Sequence, residues 1–131
     1  MISLDTHVIV RLLVRDDLEQ QAQVLSRLQS IRDHGDQALI TTVVLAEVGW
    51  VLASGYGYSR TQIGAAISAM LMAEPFHFQD RSVIEAALQD YEQGPADLSD
   101  YLVLNQAHVA EALPLLTFDK KLLRHGSAER P

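Results

Sequence analysis

The chain contains no cysteine. That excludes a disulfide framework, a thiolate metal site and a cysteine nucleophile. A cytoplasmic setting fits the absence and is the expected one. No run of about 18 apolar residues occurs, so no membrane span is expected. The opening residues Met1-Ile2-Ser3-Leu4-Asp5 show no basic stretch ahead of a long apolar run, so no signal peptide is expected. Internal repeats, low-complexity tracts and linkers are also missing. His34, His77, His108 and His125 lack the His-x-x-x-His spacing of a zinc site, and they read as surface or satisfied residues.

Positive charge is scarce. There are 10 Lys and Arg against 17 Asp and Glu, a net charge of -7. Proteins that hold nucleic acid by bulk electrostatics are usually basic. A nucleic-acid function here requires the excess acid to be concentrated where bound divalent ions invert the local charge.

The 131 residues that are present suit one compact domain, expected over residues 1–126, with 127–131 as a frayed tail. At 48% hydrophobic and 21% charged, disorder is excluded. The high apolar fraction points to an interface with a second copy or a partner.

Short apolar runs alternate with helical stretches. Ile2-Ser3-Leu4 is a predicted strand, followed by an apolar helix over 7–14. An amphipathic helix over 18–32 carries Ala22, Leu25 and Leu28 at helical spacing and stops at His34-Gly35. Strand 38–41 precedes a helix that Thr42 caps, with Val44, Val48, Val51 and Leu52 on one face and Gly55-Tyr56-Gly57 at its end. Ser59-Arg60-Thr61-Gln62 has the capping-box form for a helix to about residue 73. Strand 76–78 leads to a helix capped by Asp80 and ended by Gly94-Pro95. Asp97 opens a helix to about residue 110, and strand 115–117 precedes a short basic helix. Strands separated by helices imply parallel pairing in an α/β sandwich.

An open α/β sheet binds its ligands beyond the carboxyl ends of its strands. Asp5, Glu47, Asp97, Asp100 and Asp119 all follow predicted strands or open the helices beside them. The topology predicts them on one edge. Converging carboxylates repel unless protonated or neutralised. A hard divalent ion is the usual remedy, and all-oxygen ligands favour Mg²⁺ or Mn²⁺ over zinc. Such ions can activate water for phosphodiester hydrolysis. Taken singly, Asp97 and Asp119 read equally well as helix caps. Glu47, amid Leu45, Ala46, Val48, Gly49 and Trp50, is expected to be paired or ligating. Asp16, Asp17 and Glu19 read as a solvated turn.

Four segments resemble the motifs of a PIN domain: Leu4-Asp5-Thr6-His7-Val8, Thr42-Val43-Val44-Leu45-Ala46-Glu47-Val48, Ala96-Asp97-Leu98-Ser99-Asp100-Tyr101-Leu102-Val103 and Thr117-Phe118-Asp119. The resemblance is greatest to VapC toxins of bacterial toxin–antitoxin pairs. It implies a Rossmann-like three-layer sandwich, with a central parallel sheet of four or five strands flanked by helices. It implies an Mg²⁺- or Mn²⁺-dependent endoribonuclease that dimerises and is silenced by a VapB-like antitoxin. By the resemblance, Asp5, Glu47, Asp100 and Asp119 are the catalytic acids, with Asp97 as a further metal ligand. Thr6 and Thr117 are supports for neighbouring carboxylates. His7 stands where such proteins often have asparagine, and it is expected to replace the asparagine's structural hydrogen bond.

Arg11, Lys120 and Lys121 are candidate RNA contacts. Arg15 and Arg124 read as cations at helix C-termini. Trp50, Tyr56 and Tyr58 can stack bases, although Trp50 is expected in the core or an interface. Two other functions are open: a phosphatase on a similar sheet, and a non-catalytic PIN-like binding module. A phosphatase of the haloacid-dehalogenase type wants a second aspartate two residues after the first, where this chain has His7.

Overall fold

A computed structural model describes residues 1–131. The chain forms two compact units, Met1–Gln79 and Asp80–Pro131.

The first unit runs β1 (Ile2–Ser3), α1 (Thr6–Leu13), α2 (Leu18–Asp33), β2 (Ala38–Ile40), α3 (Thr42–Tyr56), α4 (Arg60–Leu71) and β3 (Phe76–Phe78). The strands form a parallel sheet in the order β1-β2-β3, with Ile2 opposite Ala38 and Ala38 opposite Phe76. Each crossover is helical, as parallel pairing requires. The core collects Ile9 and Val10 of α1, Ile40 of β2, and Leu45, Val48 and Leu52 of α3, all fully buried. Burying side chains of this size contributes roughly 1.5–3 kcal/mol each, so these few residues decide how α1 and α3 dock.

Local chemistry sets the helix ends. Gly57 closes α3 with a left-handed φ of 67°, a conformation that other L-residues adopt at a cost. Ser59 and Gln62 form the expected capping box on α4. The cap of α3 is Thr41, not Thr42: the Thr41 hydroxyl accepts from Val44 N–H at 3.3 Å. Thr42 is the first helical residue instead, buried with its hydroxyl unpaired. Both are threonines at the strand–helix junction, so sequence pattern does not separate them.

The face of α2 is not the expected one. Leu28 and Ile31 are buried, but Leu18 is 70% and Leu25 51% exposed, and Ala22 is exposed too. Only the second half of α2 buries apolar side chains; the first half meets α1 through polar contacts, Gln20 accepting from Arg11 Nε at 2.6 Å and Gln21 Nε2 donating to Leu12 O at 3.0 Å. The first half is held at its cap, where Asp17 accepts from Gln20 N–H at 3.0 Å.

The second unit runs α5 (Arg81–Gln93), α6 (Leu98–Val109), β4 (Leu115–Leu116), a 3₁₀ turn (Leu122–Arg124) and β5 (Ala128–Glu129). Val83, Ile84, Ala87 and Leu88 of α5 and Leu98, Tyr101, Leu102 and Leu104 of α6 supply its core. Asp80 does not cap α5. It adopts a left-handed φ of 51° and its side chain makes no cap hydrogen bond. Aspartate tolerates that conformation better than most residues.

The α/β class with parallel strands is as expected, but the sheet of four or five strands is divided. Three strands lie in the first unit, and β4 pairs in parallel with β5 in the second. The expected frayed tail therefore contains a strand. Leu115 N–H donates to Ser127 O and Thr117 N–H to Glu129 O, each at 2.9 Å. A two-residue strand carries no periodicity for sequence reading to find.

Candidate functional site

The candidate acids fall into two sets, one in each unit. Asp5 follows β1 and caps α1, its Oδ1 accepting from Thr6 N–H at 2.7 Å. Thr6 is 2% exposed, yet its hydroxyl donates to Glu47 Oε2 of α3 at 3.0 Å. One buried threonine therefore links two candidate motifs far apart in sequence. Glu47 is exposed rather than enclosed: Leu45, Val48 and Gly49 are buried, but Trp50 is exposed as Glu47 is.

Thr6→Val keeps the shape and removes that link. It is expected to cost about 1 kcal/mol, since water can replace the donor at an exposed carboxylate. Urea denaturation checks the cost.

In the second unit Asp97 precedes α6 as its N-cap, and Asp97 N–H donates to Asp100 Oδ2 at 3.2 Å. Asp100 is half-buried. Burial pushes its carboxyl above the ordinary range, the Asp97 N–H counteracts this, and the charges of Asp119 and Asp97 push it up further. Three carboxylates thus share one electrostatic neighbourhood. Asp119 accepts from Leu122 N–H through Oδ1 at 2.9 Å, opening the 3₁₀ turn. Thr117 supports Asp119 through the main chain, its hydroxyl accepting from Asp119 N–H at 3.0 Å.

The loop ahead of Asp97 is fixed by Tyr101. Its buried hydroxyl accepts from Ala96 N–H at 3.1 Å. Gly94 makes room for it: a Cβ there would stand 2.0 Å from the Tyr101 hydroxyl. Sequence reading placed Gly94 as a helix stop only. Nothing local signals that a side chain seven residues away needs the space. A neighbouring network joins Asp90 to Asn105 at 2.9 Å and to His125 at 3.4 Å.

Several expectations change. His7 is exposed and makes no hydrogen bond, so it replaces no structural one. Arg11 is committed within its unit. Its Nε donates to Gln20 at 2.6 Å and its Nη1 to Tyr56 at 3.2 Å, and it pairs with Asp16 at 3.4 Å. Tyr56 in turn donates to Asp16 at 2.8 Å. Arg11 therefore braces α1, α2 and α3, and Asp16 is partnered rather than merely solvated. Lys120 and Lys121 remain exposed. Trp50 is 71% exposed, so it is not a core residue.

No group of three or more His, Asp or Glu side chains stands close enough to hold a metal ion. The donors are carboxylate oxygens throughout, the chemistry that hard divalent cations take. The mutual repulsion around Asp100 is what such a cation relieves.

Parallel strands joined by helices, with Asp5 and Asp119 just past strands and the other acids at or in helices, define an α/β protein. Residues 2–127 match the PIN domain, and the chain belongs to that family. PIN domains are generally nucleases. No curated protein and no solved structure matches the chain. No helix is long and apolar enough to cross a membrane.

Proposed function

We propose that the protein is a metal-dependent endoribonuclease, the toxin of a toxin–antitoxin pair. The observation that carries this reading is the family match over residues 2–127, which includes all five candidate acids. The acid set Asp5, Glu47, Asp97, Asp100 and Asp119 fits Mg²⁺ or Mn²⁺ by donor type. The bound ion would supply an activated water and neutralise charge on the phosphodiester.

The chain's own residues do the rest. Asp5 is held by the start of α1 and Glu47 by the Thr6 hydroxyl, so both present fixed carboxylates. Burial first, and then the charges of Asp119 and Asp97, raise the cost of charge on Asp100, which a bound cation would offset. Lys120 and Lys121 offer the phosphate backbone two free cations beside Asp119. A VapB-like antitoxin and a second copy of the chain are the proposed protein partners.

The test is cleavage of total RNA by the purified, folded chain. Fragmentation with Mg²⁺ or Mn²⁺ and none in EDTA is the expected result. Release of phosphate from monoesters instead would favour a phosphatase, and RNA binding without cleavage a binding module. A short reading frame beside the gene, whose product stops cleavage, is expected for the toxin role. Cleavage without such a neighbour would leave the nuclease and remove the toxin.

A further inference from the structure

The second unit holds a polar cluster that the candidate acids do not use. His125 stands just after the 3₁₀ turn, its side chain 31% exposed. Its Nε2 faces Asp90 Oδ1 of α5 at 3.4 Å, and its Nδ1 accepts from Ser127 N–H at 3.1 Å. The ring lies beside Tyr101 of α6, their centroids 6.5 Å apart. Asp90 is itself held by Asn105 Nδ2, which also donates to Tyr101 O at 2.8 Å. The two helices therefore fix the imidazole, and the imidazole holds Ser127.

Ser127 belongs to a segment that closes on itself around Asp119. Ser127 O accepts from Leu115 N–H and Glu129 O from Thr117 N–H, each at 2.9 Å. The Thr117 hydroxyl accepts from Asp119 N–H, Asp119 Oδ1 accepts from Leu122 N–H, and His125 N–H donates to Leu122 O. Leu122 and Ala128 are buried and keep the segment on the core. Apolar contact has no direction. How the segment lies, and where it holds the Asp119 carboxylate, falls to these hydrogen bonds.

We propose that His125 is a positioning residue for Asp119: neutral, its Nδ1 holds the turn into β5 that orders the Asp119 segment, and protonated, it releases that turn. The tie stands on the contacts alone, and the use made of Asp119 rests on the nuclease reading.

Donor counting shows why protonation matters. Ser127 N–H can only donate, so Nδ1 must accept, and the single proton of neutral imidazole sits on Nε2, facing Asp90. In imidazolium both nitrogens donate. A proton on Nδ1 then meets the Ser127 N–H, donor against donor, while Asp90 keeps its partner. The titratable or charged groups around the ring are Asp90 from α5, Tyr101 from α6 and Arg124 from the 3₁₀ turn, about an open cavity of about 670 Å³. β4 carries no titratable residue, and Glu129 of β5 forms no ion pair with the ring.

Two amide side chains separate the two ring nitrogens. An asparagine oxygen accepts from the N–H two residues on, as Nδ1 does here, and has no proton to gain near neutral pH. Glutamine reaches instead to the place of Nε2. The experiment follows amide hydrogen exchange of the full chain by NMR, without metal, at about pH 8 and about pH 5, the interval in which imidazoles change charge. Leu115 N–H reads the β4–β5 pairing, and Leu122 N–H reads the Asp119 carboxylate. From the higher pH to the lower, wild-type protection at both, corrected for intrinsic rates, should fall roughly 5- to 30-fold. His125→Asn should keep the protection at both pH values, and His125→Gln should show the low value at both. Amides within α5 and α6 should not change, which separates release of the turn from general unfolding.

Equal acid loss in wild type and His125→Asn, full protection in His125→Gln, or loss that spreads through α5 and α6 would overturn the proposal. So would Leu115 opening while Leu122 stays protected, since the turn would then open without moving Asp119. With Mg²⁺, His125→Gln should lower kcat with KM little changed, and His125→Asn should recover kcat. Failure of the nuclease reading looks different: the exchange pattern appears as described, but no RNA is cut with Mg²⁺ or Mn²⁺.

Discussion

Asp5→Asn is expected to abolish metal-dependent RNA cleavage while leaving the fold intact. The reason lies in the two tasks of one carboxylate. Asp5 Oδ1 caps α1 by accepting from Thr6 N–H at 2.7 Å. Asparagine caps a helix about as well as aspartate, so stability should change by less than about 0.5 kcal/mol. The negative charge is the only thing removed, and an amide is a poorer ligand for a hard cation. The loss should be about 100-fold or more, beyond the range of roughly 10- to 100-fold seen for groups that merely support a metal ligand. Parallel urea curves and cleavage time courses check both halves. Normal cleavage by the variant would remove Asp5 from the site.

Asp100→Asn sharpens the same test, because here the charge is unfavourable in the folded chain. Burial first, and then Asp119 and Asp97, raise the carboxyl above its ordinary range, so the folded state holds the proton more tightly than the unfolded state does. For a raised carboxyl, the stability it contributes is full below its unfolded pKa. It is lost as pH climbs through the folded one. In EDTA the variant should therefore melt higher than wild type near neutral pH. The difference should close in acid. Cleavage should be lost as with Asp5→Asn. A variant that melted lower at neutral pH would show that the Asp97 N–H bond outweighs the repulsion.

Gly94→Ala is expected to be the most destabilising single methyl in the second unit. The backbone there has a φ of -119°, open to any residue, so conformation is not the obstacle. The obstacle is space. The new Cβ would stand 2.0 Å from the Tyr101 hydroxyl, 3.0 Å from its Cζ and 3.2 Å from Asp90 O. Tyr101 is 2% exposed and has nowhere to swing. Overpacking costs about 1–3 kcal/mol, and displacing the hydroxyl also strips Ala96 N–H of its buried acceptor, a further ~1–3 kcal/mol. A loss of about 2–6 kcal/mol in urea denaturation follows. Tyr101→Phe alone should cost about 1–2 kcal/mol through the stranded N–H. In that background Gly94→Ala should cost far less than on its own, a coupling that a double-mutant cycle reads directly. Additive losses would mean the clash is relieved elsewhere.

Much of the fold was legible because it is written in local signals. The Ser59–Gln62 capping box, the glycine end of α3 and the run Phe76–Phe78 each occupy a few consecutive residues, and each formed where expected. The candidate acids were chosen by their positions after strands and in the opening turns of helices. What sequence missed depends on distant partners. The choice between Thr41 and Thr42 turns on which hydroxyl reaches Val44 N–H. The exposure of Leu18 and Leu25 depends on which face of α2 meets the rest of its unit. Trp50 was expected in the core or an interface, and its exposed position on α3 excludes the core. Arg11 looked free because its acceptors, Asp16, Gln20 and Tyr56, come from three later segments. The strand at 128–129 is legible only through its pairing with β4.

The close approach of Gly94 and Tyr101 also imposes an order on how this sequence can drift. A methyl at 94 and a hydroxyl at 101 exclude one another. A lineage that gains the methyl first must pass through a poorly folding intermediate. One that loses the hydroxyl first meets a shallower descent, and a methyl at 94 then faces only the close approach of the ring carbon and Asp90 O. Once that methyl is in place, a tyrosine at 101 is opposed by the same clash. The loop that leads into Asp97 is thus a historical ratchet, with its direction set by a single oxygen atom.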